Sequence, residues 1–156
     1  MRLWHIDLIP YLPNSQLAAQ WRELCSIFKD QPNHILINYI YPYPKTYLRT
    51  YADTVLREIK NRGFRLRTLD NYNKFFEDIV YPDRPYFFKE HDEGYLVECF
   101  FNLAEKYQRG QKDFDSARFK ALCSYMEQEL PSLKDFIALV QKRKVYTNDK
   151  CLDDPE

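Results

Sequence analysis

Two groups near the start of this 156-residue chain could do chemistry together: the α-amine of Met1 and the carboxylate of Glu23. An α-amine titrates near ~7.7–8.0, so an appreciable fraction is free base at neutral pH, whereas a lysine at ~10.4 needs strong desolvation to match it. Termini normally fray in solvent, and a frayed amine is a poor nucleophile because nothing aims it. Here Trp4, Ile6, Leu8 and Ile9 follow directly and are apolar enough to tie the terminus down. Arg2 is bulky, and removal of an initiator methionine needs a small second residue, so Met1 is expected to remain. Glu23 stands in the run Trp21-Arg22-Glu23-Leu24, on what reads as the first helix. A docked amine facing a carboxylate pairs a nucleophile with a group able to move protons.

The elements that must position this pair are helical. Pro13-Asn14-Ser15 gives a turn and a cap, and the first helix runs from about Ser15 to Phe28. Leu17, Trp21, Leu24 and Phe28 stack on one face, while Ala19, Arg22, Glu23 and Ser26 lie opposite. The small residues between the two charges let a ligand come close, which suits a cleft; an exposed Arg and Glu on a surface helix is the plainer alternative. The stretch Asn38 to Tyr43 alternates but contains proline, so it is expected to be an extended linker or edge piece. Pro44 opens a second helix that buries Leu48, Tyr51 or Ala52, Val55, Leu56 and Ile59 and stops at Gly63. A short helix is expected over Tyr72 to Val80, then a loop with Pro82 and Pro85. A fourth helix covers about Glu93 to Arg109 with Gly110 as its stop, and a fifth runs from near Asp115 to before Pro131. Ser132 with Asp135 suggests a capping box for a sixth, which carries Leu133, Phe136, Ile137 and Val140. The expected fold class is all-α: a single domain of five to six helices over 1–145, followed by a polar tail over 146–156.

Composition narrows the partners. Hydrophobic residues at 45% suffice for a real core, and 17% aromatics argue against disorder. No apolar run approaches the ~20 residues of a membrane span, and Asp7, Pro10 and Pro13 interrupt any signal-peptide core. Cys25, Cys99, Cys123 and Cys151 show no CxxC or Cys/His ligand spacing, so they read as thiols in a reducing cytoplasm. The first three are expected inside helices, and neither a metal nor a cofactor is implied. The net charge is zero, which speaks against strong nonspecific binding of DNA. It divides unevenly, however: residues 1–67 carry ten Lys/Arg against five Asp/Glu. The densest basic run is Arg57, Lys60, Arg62, Arg65 and Arg67. Such a flank can present a one-sided field to phosphate, and Tyr39, Tyr41, Tyr43 and Tyr47 could stack on exposed bases. Dipole compensation at a helix end and tyrosines at the core edge explain the same residues without a ligand.

Arg2-Leu3, Leu17, Ala19, Arg22-Glu23-Leu24, Phe28, His34 and Arg62-Gly63-Phe64 together resemble the pyrimidine-dimer DNA glycosylases of the phage endonuclease V type. The opening Met-Arg-Leu-Trp-His is similar to bacterial relatives grouped with them. The resemblance spans about the first half of the chain as scattered identities. It implies DNA repair on damaged double-stranded DNA: glycosylase and apurinic-site lyase activity, with the terminal amine as nucleophile and Glu23 assisting proton transfers. It further implies DNA contact by Arg2, Arg22 and His34, to which the basic run adds Arg57, Lys60, Arg62 and Arg65. The sequence departs from that family at three places. Met1 stands where the phage enzyme has threonine, Ser26 stands where it has a basic residue, and its aromatic, basic C-terminal segment has no counterpart. A noncatalytic nucleic-acid-binding relative and a protein-interaction module are the alternatives.

Overall fold

The computed structural model describes residues 1–80 and 84–143. Pro82, Cys151 and the tail expected over 146–156 lie outside the described residues. Six α-helices are described: α1 (Asn14–Asp30), α2 (Lys45–Asn61), α3 (Asp70–Phe75), α4 (Glu93–Gln108), α5 (Ser116–Glu129) and α6 (Lys134–Gln141). Short 3-10 turns cover Ile6–Tyr11, Asn38–Ile40 and Pro131–Leu133, and no strand occurs among the described residues. The fold is all-α, as the periodicities predict.

The α1 stripe is buried as expected: Leu17, Trp21, Leu24 and Phe28 are 0–6% exposed, joined by Ile27. Each such side chain contributes roughly 1.5–3 kcal/mol when fully buried. Helix α1 packs on α2 and α3. The short α3 is held by rings more than by length: Phe28 meets Tyr72, Phe75 and Phe76 at centroid distances of 6.0, 5.4 and 5.2 Å. The 3-10 turn Ile6–Tyr11 contacts α2, α4 and α5, so the segment leading to it enters the middle of the bundle.

Several local expectations differ from the structure. Helix α1 has no cap from its own side chains; the Ser15 N–H in its first turn instead donates to Asp113 Oδ2 at 2.7 Å, across the fold. Its C-terminus closes with Gln31 in the left-handed region, at φ 45°. Pro44 is the N-cap of α2 rather than its first residue, and Gly63 ends that helix at φ 75°, where a Cβ would be strained. The segment over Asn38 to Tyr43 is not extended: it coils into a 3-10 turn with Ile40 buried, because the core below rewards compact turns. Helix α3 is Asp70–Phe75, shorter than expected. Ser132 and Asp135 form no capping box; Pro131–Leu133 is a 3-10 turn that leads into α6 without a side-chain cap. At α4 and α5, by contrast, Asp92 and Asp115 accept from Tyr95 and Arg118 N–H groups at 2.9 and 2.7 Å.

Candidate active site at the N-terminal segment

Residues 2–5 belong to no helix, yet Leu3, Trp4 and His5 are all buried. A buried irregular backbone must find partners for its N–H and C=O groups. Here side chains supply them. The Arg2 N–H donates to Glu23 Oε2 at 3.4 Å, and the Arg2 carbonyl accepts from Gln20 Nε2 at 3.0 Å. The Trp4 N–H donates to Gln20 Oε1 at 2.9 Å. Tyr95 donates its hydroxyl to the Leu3 carbonyl, and Tyr51 donates to the Trp4 carbonyl at 2.7 Å. The Ile6 N–H donates to His91 Nδ1 at 3.1 Å, and the Asp7 N–H to His5 Nδ1 at 3.1 Å. Partners from α1, α2 and α4 thus grip this stretch from three sides.

The two histidines in this grip have fixed tautomers. Each uses Nδ1 as acceptor for a backbone N–H, so the proton sits on Nε2. His5 Nε2 donates to the His91 carbonyl at 2.9 Å, and His91 Nε2 donates to the Tyr39 hydroxyl at 2.7 Å. Burial, reinforced by His5, pushes the His91 pKa down to about 3, and burial also lowers that of His5. Both rings are therefore neutral at physiological pH. Burial likewise raises the hydroxyls of Tyr39, Tyr51 and Tyr95 above their usual range, which keeps all three protonated. These groups are scaffold for the segment.

Glu23 is half-buried beside this segment. Its Oε2 receives the Arg2 N–H and, at 3.3 Å, Gln20 Nε2; among the described residues no protein group donates to Oε1. One residue spans at most about 3.7 Å from one backbone nitrogen to the next, so the Met1 nitrogen lies within about 7 Å of that carboxylate oxygen. Met1 itself is partly exposed and packs against the core edge. No ion pair or hydrogen bond joins the Met1 nitrogen to Glu23 among the described residues, so the structure brings the amine near the carboxylate without contact and leaves one carboxylate oxygen without a protein donor.

The basic residues divide into two sets. Arg2 stacks on Trp4, its guanidinium carbon 5.6 Å from the ring centroid, and pairs with Glu98 at 3.5 Å. Arg62 turns inward: it donates to Glu58 Oε1 at 2.8 Å, the Leu12 carbonyl at 2.7 Å, Asn14 Oδ1 at 2.9 Å and the Pro10 carbonyl at 3.1 Å. Both guanidiniums are engaged within the molecule. Arg22, Arg57, Lys60, Arg65 and Arg67 are exposed. Arg22, Arg65 and Arg67 line one groove of about 930 Å³ over Trp21, Ile59, Phe64 and Leu66, a groove whose lining includes no acidic residue. Cys25, expected inside its helix, lines this groove too and is half-exposed. Arg57 faces a separate cleft with Asp7, Asp53 and Arg84, and Lys60 borders a third hollow beside Phe64. Arg22 and Glu23 are adjacent on α1 and so point about 100° apart around its axis. His34 is half-buried in a loop tied by its own bonds: its N–H donates to Asn38 Oδ1 at 2.8 Å, and its Nδ1 accepts from Leu36 at 3.1 Å.

Sequence reasoning missed Gln20, Tyr51, Tyr95 and the pairing of His5 with His91. One signal was present: Gln20 is a polar residue in the apolar register of α1, one residue from Trp21, and such a residue is buried only with partners. The contact of His5 with His91 crosses 86 residues, and no local pattern encodes it.

Geometry defines the class first: an all-α protein whose N-terminal segment is docked by side chains against a half-buried glutamate. Residues 1–72 match the model of a family described as pyrimidine dimer DNA glycosylase. The match covers just under half of the chain; it supports the resemblance seen in the sequence and points toward a DNA-repair glycosylase. Comparison with curated proteins and with solved structures gave no match. The matched region holds Met1, Gln20, Glu23 and Tyr51 but ends inside α3, so the α4 side of the grip, His91 and Tyr95, lies beyond it. No described helix is long and apolar enough to cross a membrane, and no described cluster of His, Cys, Asp and Glu could hold a metal.

Proposed function

We propose that the protein is a DNA glycosylase with apurinic-site lyase activity that works through the α-amine of Met1. The observation that supports this most is the Glu23 carboxylate held 3.4 Å from the Arg2 N–H, one residue from that amine. The free-base amine attacks C1′ of the damaged nucleotide, and the bond from C1′ to the base breaks. The base leaves with a proton. Opening of the sugar, with protonation of its ring oxygen and loss of the amine protons, gives an imine between Met1 and C1′. Removal of a proton from C2′ then expels the 3′ phosphate by cleavage of the C3′–O bond. Oε1 of Glu23 carries the proton transfers, since Oε2 already holds two donors.

In this reading Arg22 and Arg65 contact phosphate from the groove they line, next to Glu23 in sequence but on another side of α1, with Arg57, Lys60 and His34 on the flanks. Arg2 and Arg62 serve by holding the segment and the start of α1. Residues 1–145 act as one unit in the cytoplasm, with Cys25, Cys99 and Cys123 as thiols, on damaged double-stranded DNA.

The test is borohydride trapping on duplex containing an abasic site, with intact mass first establishing that Met1 opens the protein. A covalent adduct is expected. Acetylating the terminus should abolish it, and Glu23→Gln should keep binding while losing strand cleavage. Adduct formation that survives acetylation assigns the nucleophile to a lysine and overturns the proposal. Duplex binding with no adduct at all identifies a noncatalytic relative.

A further inference from the structure

Gln20 is 1% exposed, in the middle of α1, and its amide touches both halves of the site. Nε2 donates to the Arg2 carbonyl at 3.0 Å and to Glu23 Oε2 at 3.3 Å. Oε1 accepts from the Trp4 N–H at 2.9 Å and shares the single proton of the Tyr51 hydroxyl, 2.9 Å away, with the Trp4 carbonyl. The amide cannot be turned over: the Trp4 N–H only donates and the Arg2 carbonyl only accepts. Leucine or methionine would fill this space but leave the buried Trp4 N–H and the Arg2 carbonyl without these partners, at the desolvation cost of unpaired buried groups. What a glutamine adds is a rigid link between a carboxylate on a helix and a backbone with no regular structure of its own.

We infer that Gln20 is a positioning residue for the amine chemistry, an inference that rests on the function proposed above. By occupying Oε2 together with the Arg2 N–H, it holds the carboxylate in place and leaves Oε1 without a protein donor among the described residues. By fixing the Arg2 carbonyl, it sets the direction in which the chain delivers the Met1 nitrogen. The carboxylate and the amine are thus aligned through one planar group, and both move if it is lost. Alignment of this kind is worth large factors in rate, since misplacement by about 1 Å costs about 100-fold.

The experiment compares the unaltered protein with Gln20→Met and Gln20→Glu, using single-turnover borohydride trapping on abasic duplex across pH 5–9, with melting temperatures measured in parallel. Gln20→Met keeps the volume and removes the link; the trapping rate of the folded protein should fall about 10–100-fold while duplex affinity stays within about twofold. Gln20→Glu places a second carboxyl against Glu23, and the acid limb of the pH–rate profile should move to higher pH. A purely structural glutamine would lower the melting temperature in both variants and leave the pH profile of the folded protein in place. Should either folded variant keep both the rate and the profile, the positioning role is overturned even though the amine chemistry stands. If the unaltered protein forms no amine-dependent adduct, the reading and this inference fall together.

Discussion

The Tyr51 hydroxyl donates to the Trp4 carbonyl at 2.7 Å, so the middle of α2 is joined to the buried segment that precedes the first turn of the bundle. Tyr51 is 1% exposed, so the bond lies inside the core. Tyr51→Phe should therefore destabilise the protein by about 1–3 kcal/mol, the cost of leaving that carbonyl without a donor. Urea unfolding checks this, with a fall of about 2–4 °C in melting temperature expected per kcal/mol. A neutral outcome would mean that the segment does not depend on this bond.

Acid should loosen the same region before it affects the rest. His91 titrates at about 3 in the folded protein, while an unfolded histidine titrates near ~6.5. Between those values the unfolded chain binds a proton that the folded chain refuses, so stability falls as pH drops from ~6.5 toward 3 and levels off below. His5, also lowered, adds in the same direction. Unfolding free energies at pH 7 and pH 5 should differ, and His91→Asn should reduce that difference while lowering stability at both values.

Arg62 and Arg65 are three residues apart in a basic run and should behave oppositely. Arg62→Met removes donors from the Leu12 and Pro10 carbonyls and should cost about 1–2 kcal/mol. The figure is modest because Arg118 Nη1 stands 3.3 Å from both carbonyls. For the same reason, the double variant Arg62→Met with Arg118→Met should lose more than the two single losses summed. Arg65→Ala should leave stability within about 0.5 kcal/mol and instead weaken duplex binding, lowering its salt slope by about 0.9. Fluorescence anisotropy at several salt concentrations reads the second effect.

Phe28 anchors α3, whose six residues are too few to persist alone. Phe28→Ala removes the ring against which Tyr72, Phe75 and Phe76 pack and should destabilise by about 3–5 kcal/mol. Hydrogen exchange should show α3 opening first in the variant.

Where one face of a helix is buried, the sequence already carried the answer. The stripe Leu17, Trp21, Leu24 and Phe28 was legible because burial imposes a period, and Gly63 and Gly110 marked helix ends because only a left-handed residue fits there. Caps were less legible: Asp113, the partner of the Ser15 N–H, is 98 positions away. The candidate site was half legible. Glu23 and the apolar residues after Met1 stood out by type and place. Gln20, Tyr51, His91 and Tyr95 did not, since each is defined by what it meets across the bundle. The basic run shows the converse: neighbours in sequence that share a charge were dispersed by the turn at Gly63, which sends Arg65 and Arg67 to the Arg22 groove and leaves Arg62 inside.

The grip on residues 2–7 bears on how the molecule is handled. Fusing a purification tag ahead of Met1 would turn its nitrogen into an amide, which has no lone pair to offer a sugar carbon, while every bond from Gln20, Tyr51, His91 and Tyr95 could still form. Such a preparation would melt and look like the native protein and yet, under the amine chemistry proposed above, form no imine. Recombinant material intended for assays of turnover should carry its handle at the other end.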